Sequence, residues 1–240
     1  MPTLSGGAPT GLPSPESGLT VIQRIVDLVL NQLQDETATT WPPDKMLPYL
    51  TLALNEIVNL QPEANPQTSA IKLIAGVTQS IDGIELMDAV MNMGTTGTTP
   101  GKTIRTLSKA AMDLLLPDWA TWPVGTVVLY VMIDPRNPKV FYTIPPMADA
   151  LRYIQIIQSE IPDEILADDQ DFPLDDSFIP ACVDYMIYRC LDEATTIPGA
   201  QEKANKYLNK FFKDLGIKTT TATKVERQEK VQPDAQAGGQ

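Results

Sequence analysis

The chain of 240 residues contains no histidine. That single absence removes the histidine-based triads, the commonest general base and the commonest zinc ligand. Cysteine is almost as scarce. Cys182 and Cys190 lie eight residues apart in a stretch of helical periodicity, too far for a disulfide within one helix, and two thiols alone make no zinc site. Both are expected to be reduced and buried. Aromatic residues are 6% of the chain, poor material for the stacking platforms of a sugar cleft. No apolar run approaches the roughly 18 residues of a membrane-spanning helix. Residues 1–18 lack the basic start and apolar centre of a secretory signal, so an unprocessed product of the cytoplasm is expected. Basic residues are outnumbered, 18 against 30 acidic, for a net charge of −12 at pH 7. Nonspecific affinity for nucleic acid comes from Lys and Arg releasing counterions, so phosphates find no general hold here.

What is present is enough apolar material, 43%, for a real core in one or two domains. The stretch Trp41–Asn65 organises the rest. Met46, Leu47, Leu50, Leu54, Ile57, Val58 and Leu60 recur at the spacing of one buried helical stripe. Asp44 is placed to cap this helix, Pro48 to sit in its first turn, and Pro62 and Pro66 to end it. Before it, Thr20 can cap a helix with Val21, Ile22, Ile25, Val26, Val29 and Leu33 on its apolar side, running to about Gln34. The short polar link from Asp35 to Thr40 suggests that these two helices form an antiparallel hairpin. Residues 1–18, with four prolines and four glycines, read as a flexible arm.

From Thr68 the pattern changes to short β-like runs: Ile71–Ala75, Val77–Ile81, Ile84–Met93, Ile104–Leu107, Val127–Ile133, Val140–Ile144 and Leu151–Gln158. Asp82-Gly83 is a two-residue turn signal, and Asp134-Pro135-Arg136-Asn137-Pro138 predicts a hairpin. A short helix is expected over Lys109–Leu116. Gly94 and Gly101 are separated by six residues where a phosphate-binding loop has four, so Lys102 does not complete such a loop. Trp41, Trp119 and Trp122 stand near prolines at element boundaries and are expected to seal the helical part against the β-rich part.

The segment from Glu160 to Asp176 carries eight acids and no base. It lacks the glycine and terminal glutamate of a calcium loop and reads as a solvated loop. Pairs such as Asp163 and Glu164, or Asp168 and Asp169, are adjacent in a loop, whereas a carboxylate glycosidase holds its pair about 5 to 9.5 Å apart across a cleft. No catalytic, cofactor-binding or metal-ligating set is therefore expected. Helical periodicity returns after Asp175 or Asp176, with Phe178, Ile179, Cys182, Val183, Met186, Ile187 and Cys190 on one side, and again from Gly199 to Leu215, where Gly216 is a natural stop. The tail, 217–240, holds Lys224, Arg227 and Lys230 at a spacing of three, with Val225 and Val231 as apolar anchors. That composition does not fold by its own burial and suits docking along another protein.

The expected fold class is α+β: an antiparallel bundle of about four helices, residues 19–66 and 175–216, interrupted by an antiparallel β-rich insert at 67–174, with flexible arms at 1–18 and 217–240. The run WPPDKMLPYLTLALNEIVNLQPEAN, then LIAGVTQSI, AVMNMG with TTPGKTIR, PDW, DPRNPKVFYTIPP and LDDSFIPACVDYMIYRCLDEA, in this order, resembles the adaptor, or head-to-tail connector, family of short-tailed bacteriophages. The likeness spans about residues 20 to 215. It implies a structural virion protein at the head-tail interface, made in the host cytoplasm. It further implies a ring of twelve copies that docks on the portal protein, receives the tail nozzle protein and lines the channel through which genomic DNA leaves. Portal docking then falls to Lys224, Val225, Arg227, Lys230 and Val231. A nozzle or head-completion protein is the alternative. No catalytic residues come with the resemblance.

Overall fold

Thr20 opens the first helix with a reciprocal cap: its hydroxyl accepts the Gln23 N–H at 3.1 Å, and the Gln23 side chain accepts the Thr20 N–H at 3.0 Å. The computed structural model describes residues 19–194 and 198–217. Among them it is a mixed α+β structure with five α-helices and two sheets. The first helix, α1 (Val21–Leu33), buries Ile22, Ile25, Val26, Val29 and Leu30. The link that follows is folded by one carboxylate. Asp35 accepts the N–H groups of Thr39, Thr40 and Trp41 at 2.9–3.1 Å, and the Trp41 bond above all holds its carboxyl below the usual range.

The second helix, α2 (Pro43–Leu60), buries Met46, Leu47, Leu50, Leu54, Ile57 and Val58 of the expected stripe, while Leu60, at its last turn, is exposed. Its start differs from the sequence expectation. Pro42 is the N-cap and Pro43 the first helical residue, so Asp44 lies inside the first turn and caps nothing. Proline's fixed φ suits that first position and moves the start back by one residue. Pro48 is consequently in the second turn, where its missing N–H leaves the Asp44 carbonyl without an intrahelical donor on an exposed face.

Two further helices, α4 (Ile179–Glu193) and α5 (Ala200–Asp214), come at the end of the described chain. Asp175 caps the short turn that leads into α4, accepting the Ser177 N–H at 2.9 Å. α1 and α2, expected to form an antiparallel hairpin, share one core but make little close backbone contact of their own. Instead α4 packs against α1, α2 and α5, because Ala181, Cys182, Val183, Met186, Ile187 and Cys190 bury more than one of its faces. Residues of all four helices share one core. Within it both cysteines are free, and burial pushes each thiol up to about 12, which leaves them unreactive at neutral pH. The end of α5 is a tight stop. Gly216, at φ +69°, donates to the Lys213 carbonyl at 2.9 Å, and Ile217 N–H reaches back to Phe212 at 2.9 Å.

Between α2 and α4 lie seven strands: β1 (Pro66–Lys72), β2 (Gly76–Ser80), β3 (Glu85–Asn92), β4 (Arg105–Ser108), β5 (Tyr130–Ile133), β6 (Val140–Met147) and β7 (Tyr153–Ser159). One sheet has the order β1-β7-β3 and the other β2-β6-β5-β4. The β5–β6 hairpin is as expected, its turn tied by Arg136, which donates to both oxygens of Asp134 and holds that carboxyl at about 2. The expectation of a wholly antiparallel insert is corrected: one strand pair and one isolated bridge, Gly125 with Met147, are parallel. β4 and β5 run parallel, since the chain between them crosses over through α3 (Lys109–Leu115) and the tryptophan segment. Side chains of both sheets share a second core, including Leu86, Ile154 and Ile156 from one and Val131, Phe141 and Met147 from the other.

Asp82-Gly83 also departs from expectation, because it joins strands of different sheets and closes no hairpin. Its glycine answers to space. A Cβ on Gly83 would stand 2.5 Å from the Ser159 carbonyl oxygen, the same oxygen that accepts the Ile84 N–H at 2.8 Å. Gly83→Ala is expected to cost roughly 1–3 kcal/mol, the usual toll of forcing backbone apart in a packed site. A urea titration checks this; a midpoint equal to wild type would show that the turn yields without strain.

Candidate functional site

The partner-binding residues expected from the sequence, Lys224, Val225, Arg227, Lys230 and Val231, lie outside the described residues. The described surface has three features of its own. The first is the acidic segment. It is a strap and more than a solvated loop: most of its acidic residues are exposed while its main chain is fastened to the helical core. Ile165 and Leu174 are buried among the helices, Ile165 N–H donates to Thr51 Oγ1 of α2 at 3.0 Å, and Thr20 Oγ1 at the head of α1 donates to the Asp168 carbonyl. Asn65 Nδ2 donates to the Glu160 carbonyl at 2.8 Å. Within the strap, the Gln170 side chain accepts the N–H of Ala167 at 2.8 Å. Among the described residues none of its carboxylates joins an ion pair. Nor do three potential metal ligands gather anywhere among those residues.

The second feature is a lysine stripe on α5. Lys203, Lys206, Lys210 and Lys213 follow one another at intervals of three, four and three, which places them along one face of the helix. Lys210 is tied inward. Its Nζ donates to Asp184 Oδ1 at 2.7 Å, and Asp184 is fully buried on α4. Burial pushes the Asp184 carboxyl above the ordinary range, Lys210 pulls it back in part, and the Asp214 carboxylate pushes it up again. Lys203 and Lys206 are exposed, and beside them a groove of about 540 Å³ opens between α5 and the C-terminal end of α1. Tyr207 and Gln32 come within 3.5 Å of one another across it. The 3-4-3 spacing was visible in the sequence, yet only the packing of α1 and α5 on α4 shows that these lysines edge a groove.

The third feature is the crossover between β4 and β5. Met112, Met132 and Ile144 form a small core there, with Trp119 and Trp122 packed on it. The tryptophans therefore do not seal the helices against the sheets as expected; Trp41 belongs to the helical core and the other two to the outer face of the second sheet. Above them Leu114 is 84% exposed, beside exposed Leu115 and Val124. Trp119 stacks at 6.0 Å on Tyr142 and donates from Nε1 to Asp113 Oδ1 at 2.9 Å, so its role is structural. Because it is only half-buried, Trp119→Ala is expected to cost about 2 kcal/mol, less than the ~3–5 of a fully buried tryptophan, and to lower the melting temperature by several degrees. A calorimetric scan decides; no change would mean that the crossover is held without it.

No helix among the described residues is long and apolar enough to cross a membrane. The arrangement offers fixed, charged and apolar surface on a well-packed frame, which is what a protein that joins other proteins presents. No curated protein matches the chain. The SU10 adaptor protein family model matches residues 19–234, a stretch that takes in every strand and helix among the described residues and extends through the lysines and valines of the tail. The resemblance to phage adaptors noted from the order of the sequence segments is thus met by a match across nine-tenths of the chain, and the chain belongs to the SU10 adaptor protein family, structural adaptors of podovirus-type phages.

Proposed function

We propose that the protein is a head-to-tail adaptor that docks on the portal, receives the tail nozzle on its other side and lines a stretch of the DNA exit channel as a ring of twelve copies. The observation that carries this reading is the family match over residues 19–234. The helical part, 19–66 and 175–216, acts as a rigid bundle whose sides pack on neighbouring copies, with the β-rich insert, 67–174, held out to a partner. The charge of −12 on each copy suits a channel wall along which DNA slides without its phosphates being bound. The role is non-enzymatic. Isolated copies repel one another and stay apart until the portal gathers them.

The tail supplies the portal contact in this reading. Lys224, Arg227 and Lys230, with Val225 and Val231, lie along the portal and supply charged and apolar contacts to it. Many such tails in one ring share a single docking event, so weak contacts add. Deleting residues 219–240 is expected to leave the melting temperature unchanged and to weaken capture of the protein by purified portal rings, read by negative-stain imaging and mass photometry. Undiminished capture of the truncated chain would sink the tail assignment. Failure of the full chain to bind portal while binding nozzle rings would favour the nozzle-side alternative.

A further inference from the structure

We infer that neighbouring copies are joined by the acidic strap of one entering the lysine-edged groove between α1 and α5 of the next. The inference rests on the ring reading and names the surfaces that would build the ring. The groove has an apolar floor of Leu33, Ile187, Leu191 and Tyr207, with Lys203 and Lys206 at its edge. Neither of these lysines joins an ion pair among the described residues. Such a site fits a peptide that carries carboxylates on either side of an apolar side chain, the charges selecting the partner and the apolar group filling the floor.

The strap is that peptide. Glu164 and Asp169 are exposed, and between them Leu166 is 73% exposed, an apolar group with no core of its own. Its outward position follows from its neighbour. Ile165 is turned into the helical core, and the main chain around it is fixed by Thr51, Gln170 and Thr20, so the shape offered to a partner is set before contact and little order is lost on binding.

A strap cannot fill the groove of its own chain. Asp168 is held at Thr20, ahead of the first turn of α1, while the groove begins at Gln32, near its last. The 13 residues of α1 put about 20 Å between them at 1.5 Å per residue. Contact must therefore be made between copies. One strap and one groove on each copy make a head-to-tail contact that repeats from copy to copy, the kind of interface that closes rings.

The test uses the full chain with purified portal rings, scored by mass photometry and negative-stain imaging. Glu164→Lys with Asp169→Lys, and separately Lys203→Glu with Lys206→Glu, should each raise the concentration needed for portal-bound rings by about tenfold or more. Leu166→Asp should do the same without moving the melting temperature. The chain carrying all four charge reversals should recover ring formation, because every contact then has both signs exchanged. The inference is overturned if either pair of reversals assembles like wild type, or if the fourfold variant melts normally yet forms no rings. Should the wild-type chain itself form no ring on portal, the ring reading falls, and this inference with it; that failure is told apart by appearing without any substitution.

Discussion

Phe211→Ala is expected to be among the most damaging single truncations in the helical core, costing about 4 kcal/mol and lowering the melting temperature by roughly 8–16 °C. Phe211 is fully buried on α5. Its ring meets Tyr185 of α4 at 5.1 Å and Phe212 at 5.4 Å, both in tilted, edge-on geometry that adds to plain burial. Four lysines and two acids leave α5 with few apolar groups: besides Phe211, the helix buries only Ala200 and Ala204. Losing the ring therefore loosens the hold of α5 on α4 and opens a cavity that small residues cannot fill. Phe211→Leu, which keeps most of the volume, should lose well under half as much. Thermal melts of both variants check this; an alanine variant within two degrees or so of wild type would show that α5 is anchored elsewhere.

Lys210→Met should cost about 2 kcal/mol at neutral pH, below the ~3–5 of a wholly buried pair because the lysine side is half-exposed. The loss falls on its partner. Asp184 is fully buried, its Oδ1 has only Lys210, and its Oδ2 has no hydrogen-bond partner among the described residues. Burial already raises the folded-state pKa of this carboxyl, so the folded form binds the proton more tightly than the unfolded form and the contribution of Asp184 to stability falls as pH rises above the ordinary carboxylate value. Without the ammonium the rise is larger and the fall continues to higher pH. The gap in melting temperature between Lys210→Met and wild type should thus be wide at pH 7 and narrow at pH 4. Adding Asp184→Asn to the variant should recover much of the loss. A gap independent of pH would assign the effect to packing of the lysine stem.

Local features were legible in the sequence because their causes are local. Thr20 and Gln23 make a cap within one turn, Gly216 ends α5 by its own backbone, and the proline-rich turn at 134–138 closes the hairpin it announces. Alternation of apolar residues shows which face of a strand is buried, not which strand lies beside it. That is why the parallel pairing of β4 with β5 and the sheet-to-sheet link at Asp82-Gly83 were missed. The start of β1 was missed for a related reason: Pro66, Gln67 and Thr68 are exposed on an edge strand and carry no apolar signal. The groove is a third case. Its two walls are about 170 residues apart in the chain, so its lysines had meaning only once α1 and α5 were seen packed on α4.

The central place of α4 has a consequence for synthesis. The chain emerges from the ribosome N-terminal end first, and α1 and α2 leave with apolar stripes whose core is completed only by α4. The helix that covers both begins at Ile179, after every strand has been made. For more than a hundred residues of translation the helix that completes their core is missing while the sheets between α2 and α4 form. Holding the ends of that long excursion together is the work of the β-rich segment itself, which leaves α2 at Pro66 and returns at Ser159, the residue paired with Pro66 in the β1–β7 ladder, and so delivers α4 beside the helices it must close.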